Sequence, residues 1–347
     1  MRAALRDGPK KVNCIEMDKP KPLSNEVLVA VRSCGICGSD IVRIQEDNPK
    51  WDQIVLGHEF SGEIVELGED VIGWQVGDRV SAAPLMPDMH SKESLKGDYA
   101  LDKNYSFIGS RAQGAFGEFL RVPAINLVPI GELSFDQAAF IEPITVCLHP
   151  ILRLDNLLGK DVVVTGAGTI GLLAIQIFKS MGCREIIASD ISDGKLELAK
   201  QMGATYVCNP IHEPLEAVCD RELESGAHVV FESSGAGPAK ISALQVARGR
   251  GTVLLVGTAH TSLTFTGPQF EAITRKELNV VGSWMSYSAP FPGEEWSTAV
   301  WMMKEGLIDV TALQTHTFPI EQIQSAYDVI YKNDELWAKV MINFQGE

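Results

Sequence analysis

The chain reads as an α/β protein in two parts, a β-rich domain and a doubly wound parallel-sheet domain. Three observations predict this. At 347 residues it exceeds what one hydrophobic core organises. Near residue 149 the rhythm changes from short alternating strands to strand and helix in turn. An apolar run beginning at Val162 flows into Gly-x-Gly-x-x-Gly.

From Met1 to Leu148 the segments alternate apolar and polar residues and break at Gly, Pro and Asp. Glu26–Val31, Phe60–Leu67 and Gly77–Ser81 are the clearest strands. From His149 to Ser283 strands and helices follow one another: Val162–Thr165, Thr169–Met181, Glu185–Ser189 and Gly194–Met202, then His228–Glu232, Ala236–Ala247, Thr252–Gly257 and Asn279–Gly282. Such alternation predicts a parallel sheet with right-handed crossovers, covered on both faces. From Trp284 onward come helical runs at Trp296–Lys304 and Ile320–Tyr331 and a closing strand at Ala338–Phe344. That strand is too apolar to stay unpaired, so it is expected to return to the first domain. The predicted domains are therefore 1–148 with 284–347, and 149–283.

With 45% apolar and 22% charged residues there is material for two cores, and disorder is excluded. The net charge of −15 opposes general affinity for nucleic acid or anionic lipid, which needs concentrated Lys and Arg. The N-terminus has no apolar core of a leader peptide, and no stretch of about 18 apolar residues occurs. The expectation is a soluble cytoplasmic protein. Seven scattered cysteines do not form a secreted disulfide framework. Cys34 and Cys37 spell Cys-x-x-Cys without a thioredoxin-like surround, which favours a structural Cys34 over a redox pair.

The glycine run Gly166-Ala167-Gly168-Thr169-Ile170-Gly171 has the context of a dinucleotide site. A strand precedes it, a helix follows, and Asp190 lies 19 residues beyond Gly171. Gly166 permits the turn, Gly168 lets backbone approach a pyrophosphate, and Gly171 lets helix pack on strand. An acidic residue at position 190 accepts ribose hydroxyls and repels a 2′-phosphate, so NAD is expected over NADP. Upstream of the glycine run stand Cys37, His58 and Glu59, the last of them some 110 residues away, with Glu142 between. Thiolate, imidazole and carboxylate oxygen suit Zn²⁺ with an exchangeable position, the open arrangement of a catalytic zinc. Zinc beside a dinucleotide points to alcohol oxidation by hydride transfer.

Cys-Gly-Ile-Cys-Gly-Ser-Asp, Gly-His-Glu-Phe-Ser-Gly, Val-Gly-Asp-Arg-Val, Glu-Pro-Ile-Thr-Val and Gly-Ala-Gly-Thr-Ile-Gly occur in this order along the chain. In these motifs the sequence resembles the zinc-dependent medium-chain dehydrogenase family, and Glu142 in Glu-Pro-Ile-Thr-Val resembles its polyol branch. The resemblance implies a GroES-like β-rich catalytic domain, a Rossmann domain and a zinc at the cleft between them. It implies Cys37, His58 and Glu142 as metal-site positions, with Glu59 either a direct ligand or a carboxylate that exchanges with water. Ser39 matches the family's hydroxyl relay. Many relatives carry a His five residues after the ligand Cys, where this chain has Val42, so the proton is expected to leave through water, ribose hydroxyls or another side chain. The glycines, Thr169, Ile170 and Asp190 are implied as cofactor contacts. Lys195, Val256, Gly257 and Ser283 join them.

Many members of the family also carry a four-cysteine lobe around a structural zinc. Here Asp88, Ser91, Ser94 and Asp102 stand at those places, so one zinc per subunit is expected, with the lobe held by hydrogen bonds or packing. The expected substrate is a polyol or sugar-alcohol phosphate oxidised to the ketose. An unphosphorylated polyol of the sorbitol type, threonine, and a non-catalytic zinc and NAD redox sensor stay open. Ser39, Trp51, Phe107, Trp284 and Tyr287 are candidate pocket residues. Arg43, Lys50 and Arg111 are candidates for a phosphate end, each more readily read as a surface charge. The strand around Asn279–Ser283 would leave unpaired backbone groups exposed, which predicts a homo-oligomer, dimer or tetramer.

Overall fold

The structure is a computed structural model, and it describes residues 1–259 and 261–344. Residue 260 of the expected second domain and residues 345–347 of the expected tail lie outside the described residues. The chain forms two compact units, 1–145 with 286–344, and 146–285.

The first unit is built on a seven-stranded sheet. Its main path runs Gln314–Pro319, Lys339–Asn343, Glu26–Gly35, Glu59–Leu67, Arg79–Ala82 and Leu127–Pro129, with Phe119–Pro123 also paired to Glu26–Gly35. All pairs are antiparallel except the first. The closing strand does return to the first domain: Met341, Ile342 and Asn343 lie opposite Gly35, Cys34 and Ser33. Its fully buried Met341 and Ile342 explain why it cannot stay outside. Val27, Val29, Val31, Phe60 and Ile64 form the centre of the core, which Tyr327 and Ile330 of the helix Ile323–Lys332 complete.

Two short helices carry candidate site residues in this unit. Gly38–Gln45 starts immediately after Cys37, and the Asp40 carboxylate accepts the Cys37 backbone N–H at 3.2 Å, fixing the turn on which the thiol stands. Ile141–Ile151 carries Glu142 in its first turn.

The second unit holds a six-stranded, all-parallel sheet. Its order is Tyr206–Cys208, Ile186–Ser189, Val162–Thr165, Ala227–Glu232, Ala247–Leu255 and Asn279–Gly282. In chain order that is 3-2-1-4-5-6, the doubly wound arrangement whose strand order reverses beside the first strand. Val162, Val163 and Val164 are wholly buried, which accounts for the continuous apolar run. The helix Thr169–Ser180 follows with eight buried residues from Gly171 to Phe178. Its glycines are sterically required: a Cβ at Gly171 would stand 1.8 Å from the Gly166 carbonyl oxygen, and Gly166 itself has φ of 92°. The strand Tyr206–Cys208 and the helices Leu215–Glu222 and Gly267–Arg275 add to the elements read from the sequence.

Candidate active site

The metal-type side chains converge in the first unit. One donor atom each from Cys37, His58 and Glu59 lies within 4.8 Å of the others, the only such group of three or more among the described residues. Backbone explains how neighbours in sequence share one place. His58 precedes the strand Glu59–Leu67, and the Glu59 carboxylate lies against Gly35 of the paired strand, where a Cβ would stand in its way. The chemistry of the set, sulfur with imidazole and carboxylate, fits a zinc ion.

Two further groups tune this cluster. Asp40, wholly buried, places Oδ1 3.6 Å from His58 Nδ1. His58 Nδ1 is buried without a hydrogen-bond partner at that separation. Burial alone would lower the imidazole, but the Asp40 and Cys37 charges outweigh it and hold His58 well above its ordinary value. Burial likewise disfavours ionised Asp40, and His58, Arg43 and the Cys37 N–H overcome it, lowering its pKa. Lys339, on the closing strand, makes a buried ion pair with Glu59 and donates to the Ile36 carbonyl at 3.3 Å.

Glu142 is outside the 4.8 Å group. It is buried, and burial raises its carboxyl to about 7 against the opposing charge of His58, with Glu59 raising it further. Its own turn is tied down: Thr145 Oγ1 donates to the Glu142 carbonyl at 2.6 Å and lies 2.8 Å from Ser286 Oγ. Cys34 is fully buried and free, and burial pushes its thiol well up, which describes a packing residue rather than a redox partner of Cys37.

The candidate pocket residues divide. Phe107 packs edge-on to the His58 ring at 5.6 Å. Tyr287 is buried, its hydroxyl accepting the Leu85 N–H at 2.9 Å and its ring stacked on Phe291 and Trp296, a core position. Trp51 is half-buried, and Trp284, in the second unit, is 54% exposed. Ser39 Oγ accepts from Arg43 Nη1 at 2.8 Å. Arg111 instead binds the Tyr105 carbonyl and ring on an exposed loop.

In the lobe, the four positions that lack cysteine are joined by hydrogen bonds. The buried Asp102 carboxylate accepts the N–H groups of Asp88 at 3.2 Å and Asn104 at 2.9 Å. Ser91 Oγ donates to Ser94 Oγ at 3.0 Å and accepts the Ser94 N–H at 3.1 Å.

In the second unit, Gly168 caps the N-terminus of the helix Thr169–Ser180, an anion-attracting end that opens with Thr169 and Ile170. Asp190 accepts the Ala167 N–H at 2.8 Å through one oxygen and the Ser192 N–H at 2.9 Å through the other, which couples it to the glycine turn. Lys195 sits in the first turn of the helix Asp193–Met202. Val256 and Gly257 both donate to the Glu232 carbonyl at 2.9 Å, and Ser283 donates to Leu255 at 3.0 Å with its hydroxyl buried and unpartnered.

Sequence reasoning did not single out Asp40 or Lys339. For Lys339 the signal was present, a lone cation inside an apolar closing strand.

The chain belongs to the zinc-dependent medium-chain dehydrogenase family, whose members typically use zinc and NAD(P). An alcohol dehydrogenase GroES-like domain matches residues 23–132 and a zinc-binding dehydrogenase domain residues 169–305. Among individual proteins, it is 39% identical to galactitol 1-phosphate 5-dehydrogenase of Escherichia coli K12 over 96% of this chain and 97% of that one. It is 33% identical to L-threonine 3-dehydrogenase of Burkholderia mallei, over 99% and 98%. The crystal structure of galactitol-1-phosphate dehydrogenase from Escherichia coli superposes with a TM-score of 0.94 at 37% identity, covering 99% of this chain and all of that one. The chain is thus an alcohol or polyol dehydrogenase of the zinc type with GroES-like and Rossmann folds, and among the described residues no helix is long and apolar enough to cross a membrane.

Proposed function

We propose that the protein oxidises a secondary hydroxyl of a polyol or sugar-alcohol phosphate, of the galactitol 1-phosphate type, to the ketose with NAD. The observation that carries this reading is the convergence of Cys37, His58 and Glu59 within 4.8 Å. Residues 1–148 with 284–347 form the catalytic domain in this reading, and 149–283 the NAD-binding domain. Cys37, His58 and Glu59 would hold the zinc, with Glu142 exchanging against Glu59 or water. Bound zinc would supply Lewis acidity that makes a substrate hydroxyl acidic near neutral pH, and NAD the hydride acceptor.

The chain's own residues do the rest. Asp40 orients His58, and Lys339 compensates the Glu59 charge that burial would otherwise penalise. Ser39 takes the hydroxyl proton, and with Val42 at the place of the usual histidine the proton continues through water or ribose hydroxyls. Gly166, Gly168, Thr169, Ile170 and Gly171 receive the pyrophosphate at a helix N-terminus. Asp190 receives the adenosine ribose and disfavours a 2′-phosphate. Lys195, Val256, Gly257 and Ser283 complete the cofactor contacts. One zinc per subunit is expected, the lobe hydrogen bonds replacing a structural ion. The protein acts in the cytoplasm as a homo-oligomer.

The test is NADH production from galactitol 1-phosphate, other sugar-alcohol phosphates, free polyols and L-threonine, with and without chelator. Galactitol 1-phosphate or a close relative should lead the panel, and chelator should abolish turnover. Zinc-loaded protein inactive on the whole panel would sink the reading and favour a binding role. The threonine arm is included because of the similarity to L-threonine 3-dehydrogenase.

A further inference from the structure

We propose that Arg43, with Lys50 beside it on the Trp51 ring, recognises the phosphate end of the substrate. This rests on the reading of the protein as a polyol or sugar-alcohol phosphate dehydrogenase and deepens it. The three candidate cations behave differently in the fold. Arg111 is spent on the Tyr105 carbonyl and ring. Arg43 turns back along its helix toward the catalytic end, with Nη1 2.8 Å from Ser39 Oγ and 3.3 Å from Asp40 Oδ1, and its side chain is only 20% exposed. Ser39 is two residues from Cys37, so the guanidinium is one side chain away from the hydroxyl that takes the substrate's proton.

Among the described residues, both hydrogen bonds of Arg43 leave from Nη1, so Nε and Nη2 remain for an anion. An arginine so held presents a planar donor fork, which suits phosphate oxygens better than a freely moving lysine does. Its guanidinium carbon lies 5.5 Å from the Trp51 ring centroid and Lys50 Nζ lies 4.6 Å from the same centroid. The indole thus gathers two cations that would otherwise repel. Of the neighbouring carboxylates, Asp52 pairs with Arg6, Asp40 also faces His58 and the Cys37 N–H, and Glu46 takes the Trp51 indole N–H at 2.9 Å. The Arg43 guanidinium beside the relay hydroxyl, with Lys50 on the same Trp51 ring, favours a doubly charged phosphate monoester over a plain polyol.

The experiment compares galactitol 1-phosphate with galactitol as substrates of the zinc-loaded enzyme, wild type against Arg43→Met, Arg43→Lys and Lys50→Met. Arg43→Met should lower kcat/KM for the phosphate ester by about tenfold to a hundredfold more than for galactitol, mainly through KM. Arg43→Lys should recover part of that difference, and Lys50→Met should lose a smaller part. Equal losses on both substrates would overturn the proposal and leave Arg43 as a mere support of Ser39. A wild-type enzyme that prefers galactitol would overturn it while sparing the polyol reading. Absence of NADH from both substrates and every other alcohol would remove that reading itself. If Arg43→Met does not fold, the substrate ratios of Arg43→Lys and Lys50→Met decide the matter.

Discussion

Lys339 and Glu59 form a buried pair with side chains 4% and 2% exposed, and they sit 280 residues apart in the chain. Two ions taken out of water are tolerable only together. Replacing Lys339 by Met is therefore expected to cost the chelated protein about 3–5 kcal/mol in urea unfolding, because Glu59 stays behind uncompensated. Adding Glu59→Gln to the same chain should return much of that loss. An unaltered unfolding midpoint in Lys339→Met would contradict the coupling. Reading the sequence could find Cys37, His58 and Glu59, because donor type and motif context are local. The partner of Glu59 could not be found that way, since only strand pairing brings residue 339 to residue 59.

At the level of elements, the polar stretch 87–102 was expected to hold itself by hydrogen bonds or packing, and it contains a small network around Asp102. Removing a buried acceptor that serves two N–H groups leaves both donors unpaired. Asp102→Ala should destabilise the protein by about 1–3 kcal/mol, with the loss unchanged by chelator. Thermal unfolding with and without chelator measures it, and a loss that appears only when metal is present would reveal an ion in the lobe. The strand Val162–Thr165, buried at every position, was legible to the residue. The polar strand Gln314–Pro319 and the three-residue Tyr206–Cys208 were not, because each has too few buried apolar positions for a period to show. The helix Gly267–Arg275 has no buried residue and so lacked the pattern as well.

On the scale of the whole molecule, the strand Asn279–Gly282 ends the six-stranded sheet, with its terminal residues exposed. An uncovered parallel edge offers backbone donors and acceptors to another chain. The mass in solution by light scattering should therefore be an integral multiple of the chain mass, two or four. A monomer at working concentration would refute the oligomer. Self-association was inferred from edge exposure, but the number of copies leaves no trace in a single sequence.

The same long-range strand pairing also sets a clock. The second unit interrupts the first in sequence, and the strand bearing Lys339 is made last among the described strands. At roughly 5–20 residues per second, a ribosome delivers Lys339 on the order of tens of seconds after Glu59. During that interval the nascent chain exposes thiol, imidazole and carboxylate without their cationic counterweight. The charge-balanced cluster, with Glu59 held against Lys339, is thus complete only once the closing strand has paired with Glu26–Gly35.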